Sequence, residues 1–200
     1  MLKSIVMITS LDQLDLSKTY SYADYLTWKI NEQIELFKGK IYAMSRAPRT
    51  AQQRVARKLT GVMLQSFTKQ TCELFFAPFD VRLLDNKKST ADAAIFTVVQ
   101  PDLCVICDPN KIDDRGAFGA PELVIKILSP GNSKKEMKYK FDLYEEAGVL
   151  EYWIVNPQDK TIYIFVLING KFVGQHPLIE EDRIKSSLFP LLNFNLEEIF

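Results

Sequence analysis

Residues 123–130 read LVIKILSP, a six-residue run broken by one lysine and closed by Ser129-Pro130. A run so short and so rich in branched apolar residues is a strand, and its two apolar faces place it in a sheet covered on both sides. Ser129-Pro130-Gly131 stops it. A helix is then expected from about Ser133 to Glu146, ended by Gly148, with the next strand at Glu151 to Asn156. Strand, helix and strand in that order imply at least one parallel crossover. The fold class is therefore α/β: a mixed central β-sheet flanked by helices, with helices on both faces.

Working outward toward the N-terminus, Val98 to Cys107 reads as one strand, with Pro101 at a bulge or an unpaired point because proline lacks a donor. Cys72 to Phe76 and Asp80 to Leu84 are further strands, and Asp85 to Ala94 is a loop. Val55, Leu59, Val62, Met63 and Phe67 recur at helical spacing, giving a helix from about Pro48 to Lys69. Ile34 to Phe37 and Lys40 to Met44 form a hairpin around Lys38-Gly39. Tyr20 to Trp28 is a short helix capped by Thr19 or Ser21, after a loosely packed segment 1–18. Toward the C-terminus, Thr161 to Ile168 and Lys171 to Gly174 flank the turn Asn169-Gly170. The last stretch, LFPLLNFNLEEIF, is apolar enough to pack back on the rest.

With 200 residues, 47% of them apolar and 12% aromatic, the chain suits one domain, 1–200, with ample core. No apolar stretch could span a bilayer and no secretory leader is evident, so no membrane partner and a cytoplasmic location are expected. Cys72, Cys104 and Cys107 are too few to make a disulfide framework, which agrees with a reducing compartment. Cys104 and Cys107 lie three apart in a strand, point to opposite faces and do not suit zinc.

Lysine and arginine together number 25, as do aspartate and glutamate, so no global field draws nucleic acid to the chain. The local distribution is uneven. No acid occurs between Leu36 and Cys72, whereas Lys38, Lys40, Arg46, Arg49, Arg54, Arg57, Lys58 and Lys69 all do. Such a window, with Arg46, Arg49, Arg54, Arg57 and Lys58 at its centre, suits phosphate contacts. A solvated helix face balanced by acids elsewhere fits equally well.

Charges inside apolar strands are informative, because an ion there is costly unless it is paired or metal-bound. Glu35 sits in Ile34-Glu35-Leu36-Phe37, Asp102 precedes Leu103-Cys104-Val105-Ile106, and Lys126 interrupts the opening run. If the strands are neighbours, Glu35 and Asp102 converge beside Lys126. Two nearby carboxylates are what a hard divalent ion needs, and such an ion could polarise a phosphodiester and activate water.

Together these segments resemble the Uma family, bacterial proteins grouped with the restriction-endonuclease-like, or PD-(D/E)XK, nucleases. The resemblance runs through Tyr-Ala-Asp-Tyr-Leu near the start, APFDVRL at 77–83, VQPDLCVICDP at 99–109, LVIKILSP at 123–130, KFDLYEEAGVLEYWIVNP at 140–157 and the terminal Leu-Glu-Glu-Ile-Phe. It implies a metal-dependent nuclease centre, with Glu35 and Asp102 as metal ligands and Lys140 as the catalytic lysine on the following helix. The third carboxylate of the pattern is replaced by Lys126. Lys38 and Lys40 stand where the family has Asp-Gly-Glu, and Gln52 where it has histidine.

The resemblance implies Mg²⁺ or Mn²⁺ as cofactor if the centre is active, and none if it is not. A protonated lysine has no lone pair for a metal, and its charge could pair with Glu35 and Asp102 as a built-in counter-ion. Two functions are therefore carried forward. One is an endonuclease-type enzyme, impaired by Lys126, that acts on nucleic acid, DNA by preference. The other is a catalytically silent nucleic-acid-binding or protein-interaction module on the same fold. Homodimers are common among related folds, which makes a second copy a candidate partner by analogy.

Overall fold

The computed structural model describes residues 7–43, 49–68, 71–84, 89–129 and 134–200. A one-turn helix, α1 (Tyr22–Tyr25), leads into the hairpin β1 (Ile34–Phe37) and β2 (Lys40–Ala43), followed by α2 (Thr50–Phe67). Next come β3 (Glu73–Phe76), β4 (Val81–Leu83), β5 (Thr97–Val99), β6 (Leu103–Ile106), β7 (Ile112–Asp113), β8 (Gly116–Phe118) and β9 (Leu123–Ile127). After α3 (Lys134–Ala147) the chain forms β10 (Glu151–Asn156), β11 (Thr161–Ile168), β12 (Lys171–Gly174) and a small ribbon of β13 (Arg183–Lys185) and β14 (Asn193–Asn195).

The opening stretch is β9, and it pairs in parallel with β10 across the α3 crossover, Ile125 against Trp153. Pairing continues in the order β12-β11-β10-β9-β6-β3. A second sheet takes the order β2-β1-β5-β4-β8-β7, so the strands divide between two six-stranded sheets. The run read as one strand from Val98 to Cys107 is in fact split. β5 belongs to one sheet and β6 to the other, and Gln100-Pro101-Asp102 is the corner between them. Proline suits that corner because it has no N–H to leave unpaired.

Helices cover both faces of the sheet that contains β9. On one face Leu103, Leu123, Ile125 and Trp153 pack with Val55, Leu59, Met63 and Phe67 of α2 and with Phe189, Leu192 and Phe194 of the last segment. On the other, Cys104, Val124, Tyr152 and Ile154 pack with Leu143 and Tyr144 of α3 and with Phe37, Val81 and Val99 of the second sheet. The site residues enter this second interface. The last segment is fastened by Glu151, fully buried, which accepts from Trp153 Nε1 at 2.6 Å, Ser186 Oγ at 3.0 Å and the Leu188 N–H at 3.3 Å.

The helix expected over Tyr20 to Trp28 is confined to α1, capped by Ser21 with Asp24 returning the bond. Lys38 and Gly39 both take positive φ in the first hairpin, and a Cβ at Gly39 would collide with the Thr19 side chain. Residues 7–18 are tied in by a Ser10 capping box, by buried Leu14 and by Lys40 Nζ bonds to the Ser17 and Lys18 carbonyls. The helix starts expected at Pro48 and Ser133, and the helix end expected at Lys69, fall outside the described residues.

One expectation is overturned. Cys72 and Cys107 form a disulfide that bridges the approach to β3 and the exit of β6. Three cysteines cannot build a framework, yet the antiparallel pairing of β3 with β6 aligns Glu73 with Ile106 and so brings the two flanking residues together. Cys104, on the opposite face, remains a buried thiol, and burial pushes its pKa up to about 12. Among the described residues no helix is long and apolar enough to cross a membrane.

Candidate functional site

Antiparallel pairing of β6 and β9 sets Leu103 against Ile125, so one step further along each strand Asp102 and Lys126 face each other. Lys126 Nζ lies 3.0 Å from Asp102 Oδ2, with the side chains 8% and 18% exposed. The same oxygen accepts the Ile127 N–H at 2.6 Å. Gln52 Nε2 donates to the Ile127 carbonyl at 3.1 Å, which brings the first turn of α2 to the end of β9.

A second pair forms alongside. Glu35, on the buried face of β1, lies 2.8 Å from Lys140 Nζ on the inner face of α3, and each side chain is 2% exposed. The Gln100 N–H, at the corner between the sheets, donates to Glu35 Oε1 at 2.7 Å. Lys140 Nζ also sits 5.7 Å from the centre of the Phe37 ring. One turn beyond Lys140, Tyr144 is buried in the field of both carboxylates. Its hydroxyl is raised well above the usual range, first by burial, then by Glu35, with a further contribution from Asp102.

All four catalytic candidates, Asp102, Lys140, Glu35 and Lys126, are therefore engaged in ion pairs, and among the described residues the expected pairing of Lys126 with both carboxylates holds only for Asp102. Lys126 meets Asp102, whereas Lys140 takes Glu35. The reason is topological: Glu35 comes from the other sheet and is presented to α3, not along β9. Among the described residues, two carboxylates face two ammonium groups in these pairs. A buried ion pair of this kind holds because each charge would be costly alone.

Such a set does not fit a divalent metal. Mg²⁺ and Mn²⁺ need anionic or neutral oxygen ligands, and an ammonium offers no lone pair. Here one ammonium already sits against Asp102 and another against Glu35. Among the described residues no three His, Cys, Asp or Glu side chains are grouped as a metal site would require. Glu35 and Asp102, the expected ligands, are thus held as partners of lysines.

Of the basic candidates, Arg49, Arg54 and Arg57 lie exposed at and along the start of α2, and no acid pairs with them among the described residues. Lys58 turns inward, its Nζ donating to the Phe200 carbonyl at 2.7 Å. Lys38 pairs with Glu146 at 2.6 Å. Arg46 falls outside the described residues. Sequence reasoning passed over Gln100, Asp80, Tyr25 and Tyr144. Asp80 had a signal of its own, an acid at the entry of the short strand Val81-Arg82-Leu83.

Three similarities bear on this arrangement. The model of the Uma2 family, described as "Putative restriction endonuclease", matches residues 22–197. An uncharacterized protein of Synechocystis sp. is 24% identical over 134 residues, a match that covers 66% of this chain and 65% of that protein, just under two thirds of its length. A crystal structure described as "a putative nuclease belonging to DUF820" from Anabaena variabilis is similar in fold, with a TM-score of 0.68 and 16% identity, over 90% of this chain and 97% of that one.

Proposed function

Because the chain belongs to the Uma2 family, whose model spans residues 22–197, we propose that it is a nuclease-fold protein that binds DNA and has lost the ability to cut it. The observation that carries this reading is the Lys126–Asp102 pair, 3.0 Å apart and largely buried, at the position where the family pattern has a third carboxylate. In a working centre of this type, Glu35 and Asp102 would hold a divalent ion and Lys140 would meet the scissile phosphate. The ion would polarise the phosphodiester and lower the pKa of an attacking water. With lysine at position 126 the local charge changes by two units and an ammonium takes the ion's place. Asp102 then serves the sheet through the Ile127 N–H instead of a metal.

Support for DNA binding comes from the start of α2, where Arg49, Arg54 and Arg57 are exposed and unopposed by any acid of the helix. Arginine reaches phosphate oxygens by paired hydrogen bonds as well as by charge.

Nicking of supercoiled plasmid in Mg²⁺ or Mn²⁺ tests the loss of cutting. The native protein is expected to leave the plasmid intact, and Lys126→Glu to nick it. Adding Asp102→Ala to that variant is expected to abolish the gain. Cutting by the native protein would overturn the reading.

A further inference from the structure

Beyond the four-residue centre, a buried polar chain runs on from Glu35. The backbone of Gln100 donates to Glu35, and its side-chain Nε2 donates to Asp80 Oδ1 at 2.8 Å. The Tyr25 hydroxyl lies close enough to act on both Asp80 and Gln100. This chain opens into a cleft of about 380 Å³ at the end of the second sheet, walled by Tyr25 and Phe79, with Asp80 and Gln100 in its lining and Asp114 and Arg115 at the β7–β8 turn.

Two features of the cleft are unresolved within the chain itself. Gln100 is only 7% exposed, and its Oε1 has no hydrogen-bond partner. A buried acceptor left unpaired costs free energy that a donor would recover. The acids around it are also unevenly balanced. Asp113 is matched by Arg82 at 2.6 Å, and Arg115 is spent on Asp92 at 2.7 Å. Asp80 and Asp114 make no ion pair among the described residues. Burial of Asp80 raises its carboxyl above the ordinary range, outweighing the hydrogen bond from Gln100 and the more distant charge of Arg82.

We propose that this cleft binds a guanidinium group, whose N–H edge meets Asp80 and the orphaned Gln100 Oε1 while its flat face rests on Tyr25 and Phe79. The geometry favours guanidinium over a metal ion because no three metal-ligating side chains are grouped among the described residues. It favours guanidinium over a compact ammonium because two adjacent acceptors beside aromatic rings match a planar fork of donors. The group could come from a free small molecule or from an arginine side chain of a partner protein. The site is separate from the arginines of α2, and an acidic cleft repels phosphate, so it does not depend on the reading as a DNA-binding protein.

Titration of the full chain with methylguanidinium, followed by amide chemical shifts, tests the idea. Saturable shifts of residues around Asp80 and Gln100 are expected. Asp80→Asn should weaken binding about tenfold, the equivalent of one charge-assisted hydrogen bond. Asp114→Asn, at an exposed turn and therefore safe for folding, should weaken it by a smaller factor. Tetramethylammonium carries the charge without N–H donors and should bind at least about tenfold more weakly than methylguanidinium. A blocked Gly-Arg-Gly peptide that binds as well as methylguanidinium would identify the source as a protein side chain, and one that does not bind would identify it as a small molecule. No saturable shift with either probe, or equal binding of tetramethylammonium, would overturn the proposal.

Discussion

Lys126 Nζ stands against Asp102 Oδ2 at 3.0 Å with 8% of the lysine side chain exposed, so removing either charge alone takes a close counter-charge from a largely buried ion. Lys126→Met is expected to destabilise the fold by roughly 3 kcal/mol, and Asp102→Asn by a comparable amount. The double change should cost clearly less than the sum, because the second substitution removes the charge that lost its counter-charge in the first. Urea unfolding of the three variants gives the coupling, and simple additivity would show that the pair is not a unit. The anomaly itself was legible in the sequence, since a lysine in an otherwise apolar strand is conspicuous. Its partner was legible only in part. That Asp102 lies beside Lys126 depends on β6 and β9 being neighbours. That Glu35 turns instead to Lys140 depends on β1 lying in a different sheet, which no local pattern encodes.

At the scale of elements, α2 shows how one helix serves two purposes. Val55, Leu59, Met63 and Phe67 form its buried stripe against the sheet, while Arg49, Arg54 and Arg57 remain in solvent. The periodic apolar spacing made the stripe legible. The division of the basic residues was not, because Lys58 is drawn inward by the Phe200 carbonyl, 142 positions away in the chain. If the three arginines contact phosphates, replacing all of them with alanine should flatten the dependence of log K on log salt by close to 3, at ~0.9 per contact with duplex DNA. Fluorescence anisotropy on a labelled duplex at several salt concentrations measures this, and an unchanged slope would remove α2 from the interface. The two hairpins were readable from Lys38-Gly39 and Asn169-Gly170, whose residues take the positive φ that such turns require. The break of Val98 to Cys107 into β5 and β6 was signalled by Pro101. What proline could not tell was that the chain changes sheets there, a fact about distant pairing.

For the whole molecule, the crossover at β9, α3 and β10 was the most legible part of the fold, because strand and helix periodicities alternate without ambiguity. The disulfide was the least, since a pairing between residues 35 apart follows from strand register and not from cysteine count. Under the chain-entropy account, a loop of that length makes the unfolded state more restricted, so Cys72→Ser should lower stability by about 2–4 kcal/mol. Thiol titration of the unfolded, unreduced protein should find Cys104 alone, and detection of all three thiols would mean that the bridge does not form in solution. The buried charges of the core are met by protein groups: Lys126 with Asp102, Lys140 with Glu35, and Glu151 with donors from Trp153, Ser186, Ser187 and Leu188. None of these calls for a bound ion. The most direct test of that claim is calorimetric titration of the native chain and of Lys126→Glu with Mn²⁺. The account predicts no specific binding by the native chain and one site in Lys126→Glu that Asp102→Ala removes. Stoichiometric Mn²⁺ binding by the native chain, lost on Asp102→Ala, would contradict it.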